Sequence, residues 1–359
     1  MFDFKHLGRI GMKPQFLAIS AGLVSGLLVM ASFSGASIAV AYLTLVLPLP
    51  MFVAGLGLGT RRALIAIASG LVITSLVAPT TALAFGLMFG LPVWLIVRLA
   101  LMSPIGVIVE APEHDGPYVA EGKPTNSTFQ DRIMGRVKDW HIEDGEPPRD
   151  LGWFPAGHIT AVITMLAACY VVMVALMTSS DGGLEQAATA YLTEVANLVA
   201  GAQGQEVLKD AILRAIPFFP GSVAAFWALS VLINAIFAQG LLAKGGRNLR
   251  PSPRLREFTL PDWLSWVLVA SALMALLAPG EIEYIGRNLT LVLAVPFFFL
   301  GLAVVHMLAG LTPFPSALLS LIYVVMIFSG WFILVIAGLG ILEQWVGLMT
   351  RMKPTTEEH

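Results

Sequence analysis

Long apolar blocks recur along this chain, and arginine and lysine clusters fall in nearly every second gap between them. That alternation limits the fold more than any motif does. Hydrophobic residues are 57% of the chain and charged residues 12%, and a folded soluble protein cannot cover so much apolar surface. Bilayer hydrocarbon can. Hydrocarbon offers no partner to a free N–H or C=O, so each block must close its hydrogen bonds internally, as a helix. The expected fold is an all-α integral membrane protein, a polytopic bundle of about eight to nine transmembrane helices.

Four spans are read in residues 1–102, at about 15–33, 36–58, 62–79 and 81–101. Five more are read in 155–341, at about 157–178, 219–243, 261–279, 289–310 and 317–340. Pro48 and Pro50 interrupt the second. The N-terminus carries Lys5, Arg9 and Lys13 before an apolar run from Phe16 to Met30. It is expected to stay in place as a signal anchor, because further spans follow at once. Residues 103–154 are rich in Asp, Glu, Gly and Pro and read as a flexible cytoplasmic insertion, with one short helix near Phe129–Trp140. Residues 342–359 form a C-terminal tail.

Basic residues orient the bundle. With the N-terminus in the cytoplasm, sixteen of the 21 Lys and Arg fall on the inside, including Arg61, Arg62, Arg98, Lys244, Arg247 and Arg250. Lys209, Arg214, Arg287, Arg351 and Lys353 fall outside. This bias is the positive-inside pattern. On the outer side, at about 181–216, Leu184, Ala188, Tyr191, Leu192, Val195 and Leu198 recur at helical spacing opposite Glu185, Gln186 and Glu194. One or two amphipathic helices on the membrane surface are expected there, as a connector or as a lid.

No catalytic pattern is present: no zinc-type histidine pair, no phosphate loop, no nucleophile elbow. Gly55, Gly57 and Gly59 lack the strand and lysine of a nucleotide site, and read as close packing or an irregular span end. The chain is not expected to be an enzyme or to hold a cofactor or metal. A net charge of −2 gives no global signature for nucleic acid. The single cysteine, Cys169, sits in an apolar block and reads as a small hydrophobe. No span has Asp or Glu near its centre, which argues against ion-coupled transport.

Two sets of residues remain. Ala18, Gly22 and Gly26 share one face of the first span at four-residue spacing, and Gly86 and Gly90 do so in the fourth. Such faces let helix backbones approach closely, within one chain or against another subunit. Polar groups inside spans are costly and are therefore candidates for ligand contact or for interhelical hydrogen bonds. These are Asn234 and Gln239 in the sixth span and His306 in the eighth, with Trp227 beside Phe226, or Phe297 to Phe299, as stacking surfaces.

Several features resemble the bacterial YybS-like family of predicted membrane proteins, a domain of unknown function. They are Pro48-Leu49-Pro50 followed by Gly55 to Gly59 and Arg61-Arg62, then Trp153-Phe154-Pro155 and Gly157, then Asn234 with Ala238-Gln239. Arg250-Pro251-Ser252-Pro253, Leu260-Pro261-Asp262-Trp263, Gly301 to His306 and Leu342-Glu343-Gln344-Trp345 complete the pattern. That family is distantly similar to the substrate-binding S components of energy-coupling factor (ECF) vitamin transporters and to the rod-shape protein MreD. The resemblance implies an S-component-like core that docks an ECF-type coupling subunit, with its ATPases, through Ala18, Gly22 and Gly26. A bacterial inner-membrane protein binding a small hydrophilic metabolite from outside is then expected, with Trp227, Asn234, Gln239 and His306 near the ligand. The other expectation is a non-transporting scaffold for cell-envelope or division machinery, with envelope-synthesis proteins as partners.

Overall fold

The computed structural model describes residues 13–33, 45–102, 152–200, 206–347 and 349. Among these there is no β-strand. The chain forms helices α1 (Pro14–Phe33), α2 (Leu49–Leu58), α3 (Thr60–Ser75) and α4 (Pro79–Ala100), then α5 (Ala156–Thr178), α6 (Gly183–Ala200) and α7 (Glu206–Arg214). α8 (Phe219–Lys244), α9 (Trp263–Leu277), α10 (Glu281–Ala309), α11 (Pro315–Phe328) and α12 (Gly330–Val346) follow. Residues 103–151 of the 103–154 insertion, its expected short helix, the start of the second expected span and most of the C-terminal tail lie outside the described residues.

Among the described residues, five segments are long and apolar enough to cross a membrane: Pro14–Ala31, Pro79–Ala100, Ala156–Asp181, Glu206–Lys244 and Glu281–Ala309. Four further apolar helices, α2, α9, α11 and α12, are shorter. α9, with 15 residues, reaches about 22 Å against a hydrocarbon core of about 30 Å. The third expected span, α3, carries Arg61 and Arg62 in its first turn and has 16 residues. The ninth expected span is two helices. Its apolar run continues through Ser329-Gly330, but the backbone at Ser329 is extended (φ −128°, ψ 96°), and hydropathy does not register that break.

The residues fall into two compact units, Met1–Pro155 with Ser230–Pro253, and Ala156–Leu229 with Arg254–His359. In the first, α1 packs on α3. A Cβ at Gly22 would lie 1.8 Å from the backbone oxygen of Ala66, and one at Gly26 would lie 2.0 Å from the Ile73 side chain. Ala18 is fully buried. The small-residue face of α1 is therefore filled from within the chain. Gly59 makes the turn between α2 and α3 at φ 102°, a conformation that L side chains rarely adopt. In α4, Pro92 has no N–H and its ring crowds the preceding turn. The helix widens there into a π-turn over Gly86–Gly90, with Leu91 N–H donating to Gly86 O.

In the second unit, glycines again set the helix contacts. A Cβ at Gly301 of α10 would lie 1.9 Å from Ile336 O, and one at Gly340 of α12 would lie 1.8 Å from Phe297 O. The His306–Tyr323 contact continues the same order, so α11 and α12 run antiparallel to α10. Phe297, Phe298 and Phe299 are core residues, all buried.

The amphipathic pair is present as α6 and α7. α6 buries Leu184, Ala188, Leu192 and Ala196 at every fourth position, while Tyr191 stacks on Phe219 at 5.6 Å. The N-terminus of α6 is held by a carboxylate from another helix. Leu184 N–H donates to Glu281 Oε1 at 2.5 Å, and Glu185 N–H approaches Oε2 at 3.5 Å. Glu281 also lies in the first turn of α10, so one acid complements two positive helix ends.

Candidate functional site

Three helices of the second unit border a cavity that is open along one side. A Cβ on Gly157, at the start of α5, would touch Thr259 O at 1.9 Å, and one on Gly286 of α10 would lie 2.6 Å from Ala275 N in α9. Near Gly157, then, the backbone before α9 comes close to α5, and the last turn of α9 lies close on α10. The far end of α5 is free to diverge from α9. The gap holds about 590 Å³, within the range of about 300–1,000 Å³ usual for small-molecule sites.

Its wall follows helical geometry. Met165, Cys169, Met173 and Met177 form one i, i+4 stripe of α5, flanked by Ala168, Val172 and Leu176. Val267, Ala270, Ser271 and Met274 come from α9, and Leu289 and Leu293 from α10. No charged side chain is among them. Ser271, the one hydroxyl, donates to Leu268 O at 2.8 Å and lies 3.0 Å from Thr290 Oγ1, which itself reaches Gly286 O at 2.8 Å. Cys169 is exposed along this wall.

None of the four residues expected near a ligand lines this cavity. Asn234 donates its amide to Leu45 O at 2.6 Å and to Ser230 O at 2.7 Å. Gln239 donates to Arg250 O at 2.6 Å, an oxygen that Asn248 also reaches at 2.8 Å. Trp227 meets the edge of Tyr170 at 5.2 Å. His306 stands in the last turn of α10, with Nδ1 2.8 Å from Leu302 O and Nε2 3.3 Å from Tyr323 Oη. Asn234 and Gln239 belong to the first unit, Trp227 and His306 to the second. All four hold partners inside the protein, and the polar contacts of three join separate segments.

Two polar centres were not foreseen. Asn288 is fully buried; its side chain accepts from Gly221 N–H at 2.7 Å and donates to Tyr284 O at 2.8 Å and Pro217 O at 3.2 Å. Tyr284 Oη donates to Ile216 O at 2.7 Å. Together they fasten the turn before α8 to α10.

The second centre is Arg250, only 6% exposed. Nη1 donates to Ala100 O at 3.2 Å, at the C-terminal end of α4, and Nη2 donates to Phe154 O at 2.7 Å. The negative end of the helix dipole suits a cation there. Burial pulls the guanidinium down to about 10, so it stays charged at physiological pH. The desolvation cost is carried in full below that pH and eases only as pH rises past it.

Phe154 N–H also donates to Met102 O at 3.2 Å. The chain therefore leaves for the insertion and returns from it at one clamped point. Replacing residues 103–151 by about four Gly/Ser residues, a common connection length, is expected to leave membrane yield and melting temperature unchanged. A collapse of either would make the insertion part of the fold.

Among the described residues, no group of three or more His, Cys, Asp or Glu could hold a metal ion. A family model described as "Predicted membrane protein (DUF2232)" matches residues 154–343. The match spans α5 to most of α12 and so includes every wall of the cavity. No curated protein and no solved structure matches the chain.

Proposed function

The chain belongs to the DUF2232 family of predicted membrane proteins, and from that premise we propose that it is a membrane-embedded, non-enzymatic binding subunit of a small-molecule uptake system. The cavity of about 590 Å³ between α5, α9 and α10 carries this reading. It is a site of ligand size whose wall holds no carboxylate, imidazole or amine for acid–base chemistry. An S-component-like part of this kind, with the YybS-like pattern of motifs, has no ATPase of its own and works with a coupling subunit. Its place is the bacterial inner membrane, N-terminus in the cytoplasm, as the distribution of basic residues favours.

One observation favours the scaffold reading, in which the chain serves envelope-synthesis proteins as MreD-like proteins do. α11 buries none of its residues, and Ile327 and Phe328 are 79% and 87% exposed. A helix so free could lie against another protein. Affinity capture from membranes extracted in mild detergent separates the two. Recovery of a coupling subunit with ATP-binding cassettes is expected. Recovery of envelope-synthesis proteins alone would overturn the uptake reading.

A further inference from the structure

Resting on the binding-subunit reading, we infer that the ligand of the α5–α9–α10 cavity is the hydrocarbon chain of a lipid, admitted sideways from the bilayer, and not a hydrophilic vitamin. The wall chemistry comes first. Twelve of the thirteen lining residues are apolar or the thiol of Cys169. The remaining Ser271 hydroxyl is already engaged with Leu268 O and Thr290. A vitamin with several donors and acceptors would leave each of them unpaired against this wall, which disfavours its binding. A hydrocarbon chain leaves nothing unpaired.

Access is the second argument. The outer end of the α5 stripe is open: Met173, Leu176 and Met177 are 42%, 69% and 71% exposed. That opening lies on the flank of α5, which together with α10 is among the segments long and apolar enough to span a membrane. The medium against such a flank is hydrocarbon, so what reaches the opening first is a lipid chain. Third, four of the lining side chains are methionines. Unbranched and polarizable, they repack around chains of differing shape, where β-branched residues would fix one outline.

Photo-crosslinking of the full chain in nanodiscs tests this. One arm carries a trace of diazirine-bearing fatty acid and a second a diazirine-bearing prenol; crosslinked peptides are mapped by mass spectrometry. The exposed face of α11, around Leu321 and Ile327, serves as the reference for ordinary contact with bulk lipid in the nanodisc. Labelling of the Met165–Met177 peptide is expected to exceed that of α11 about tenfold, as a seat worth about 1.4 kcal/mol gives. Whichever probe labels more strongly identifies an acyl or a prenyl chain. Ala270→Phe, which fills the cavity, should abolish the excess and leave α11 labelling and the melting temperature intact.

Equal labelling of the two peptides overturns the inference. A parallel thermal-shift panel of water-soluble vitamins then decides the parent reading. Stabilisation by a vitamin keeps the binding subunit with a hydrophilic ligand. No excess labelling and no vitamin shift removes both.

Discussion

Gly340→Leu is expected to be the most damaging single substitution in the second unit, with Gly338→Leu two residues away nearly silent. A Cβ at Gly340 would lie 1.8 Å from Phe297 O and 2.7 Å from Gly301 N, both backbone atoms of α10. No rotamer change relieves a clash with backbone, so α12 must move bodily off α10. Overpacking a close-packed interior costs about 1–3 kcal/mol when side chains can adjust, and here the loss should reach or pass the top of that range. A Cβ at Gly338 meets nothing within 4 Å, and replacing a helical glycine recovers about 0.8–1 kcal/mol of propensity. Melting curves of the two variants in one detergent should differ by many degrees, Gly340→Leu falling and Gly338→Leu holding. Equal melting temperatures would mean that α10 and α12 are not in backbone contact.

Asn288→Leu should be the most damaging change of a polar residue. The side chain is buried completely and makes three hydrogen bonds, two of them to the turn that begins α8. Leucine keeps the volume but strands Gly221 N–H and Pro217 O away from water. At about 1–3 kcal/mol for each unsatisfied buried group, a loss of about 3 kcal/mol is expected. Tyr284→Phe removes the single bond to Ile216 O and should cost about 1 kcal/mol. Proteolysis near residues 215–220 offers a second readout, because the turn should open before the unit melts. A variant that melts like the parent and resists protease there would show that the latch carries no stability.

What the residues alone revealed was chiefly the membrane class and the main helices. α1, α4, α5, α8 and α10 each answer to an apolar block, since block and helix both follow from the need to close backbone hydrogen bonds in lipid. The small-residue face of α1 was visible as well, but its spacing could not say whether the facing helix belonged to the same chain. Asn288 escaped for a simple reason. The apolar run begins at Leu289 while the helix begins at Glu281, so the asparagine fell just outside the span as read from hydropathy. Arg250 reads in the sequence as a basic linker residue and as part of the Arg250–Pro253 pattern. Its role as a clamp is not legible there, because only the folded chain brings Ala100 O and Phe154 O to it. The cavity had no local signal at all. It arises where α5 and α9 part, and a stripe of Met and Cys inside an apolar helix looks like any other lipid-facing or core surface.

The described part of the first unit carries charge of one sign. Among its described residues there are seven cations and no Asp or Glu. Six of these, Arg61, Arg62, Arg98, Lys244, Arg247 and Arg250, belong to chain segments that meet at one end. Arg250 reaches Ala100 O, and Gly57, just before Arg61, lies against Leu242 and the Arg247 backbone. The stretch 103–151, which leaves and rejoins the chain beside Arg250, adds ten Asp and Glu against five Lys and Arg. With these six cations the end therefore carries a net charge of about +1, worth only about 2.3 kcal/mol across about 100 mV. Inversion of that end would be resisted by the desolvation of six separate cations, about 2.5–3.5 kcal/mol for each at the centre of a helix, far more than by the membrane potential.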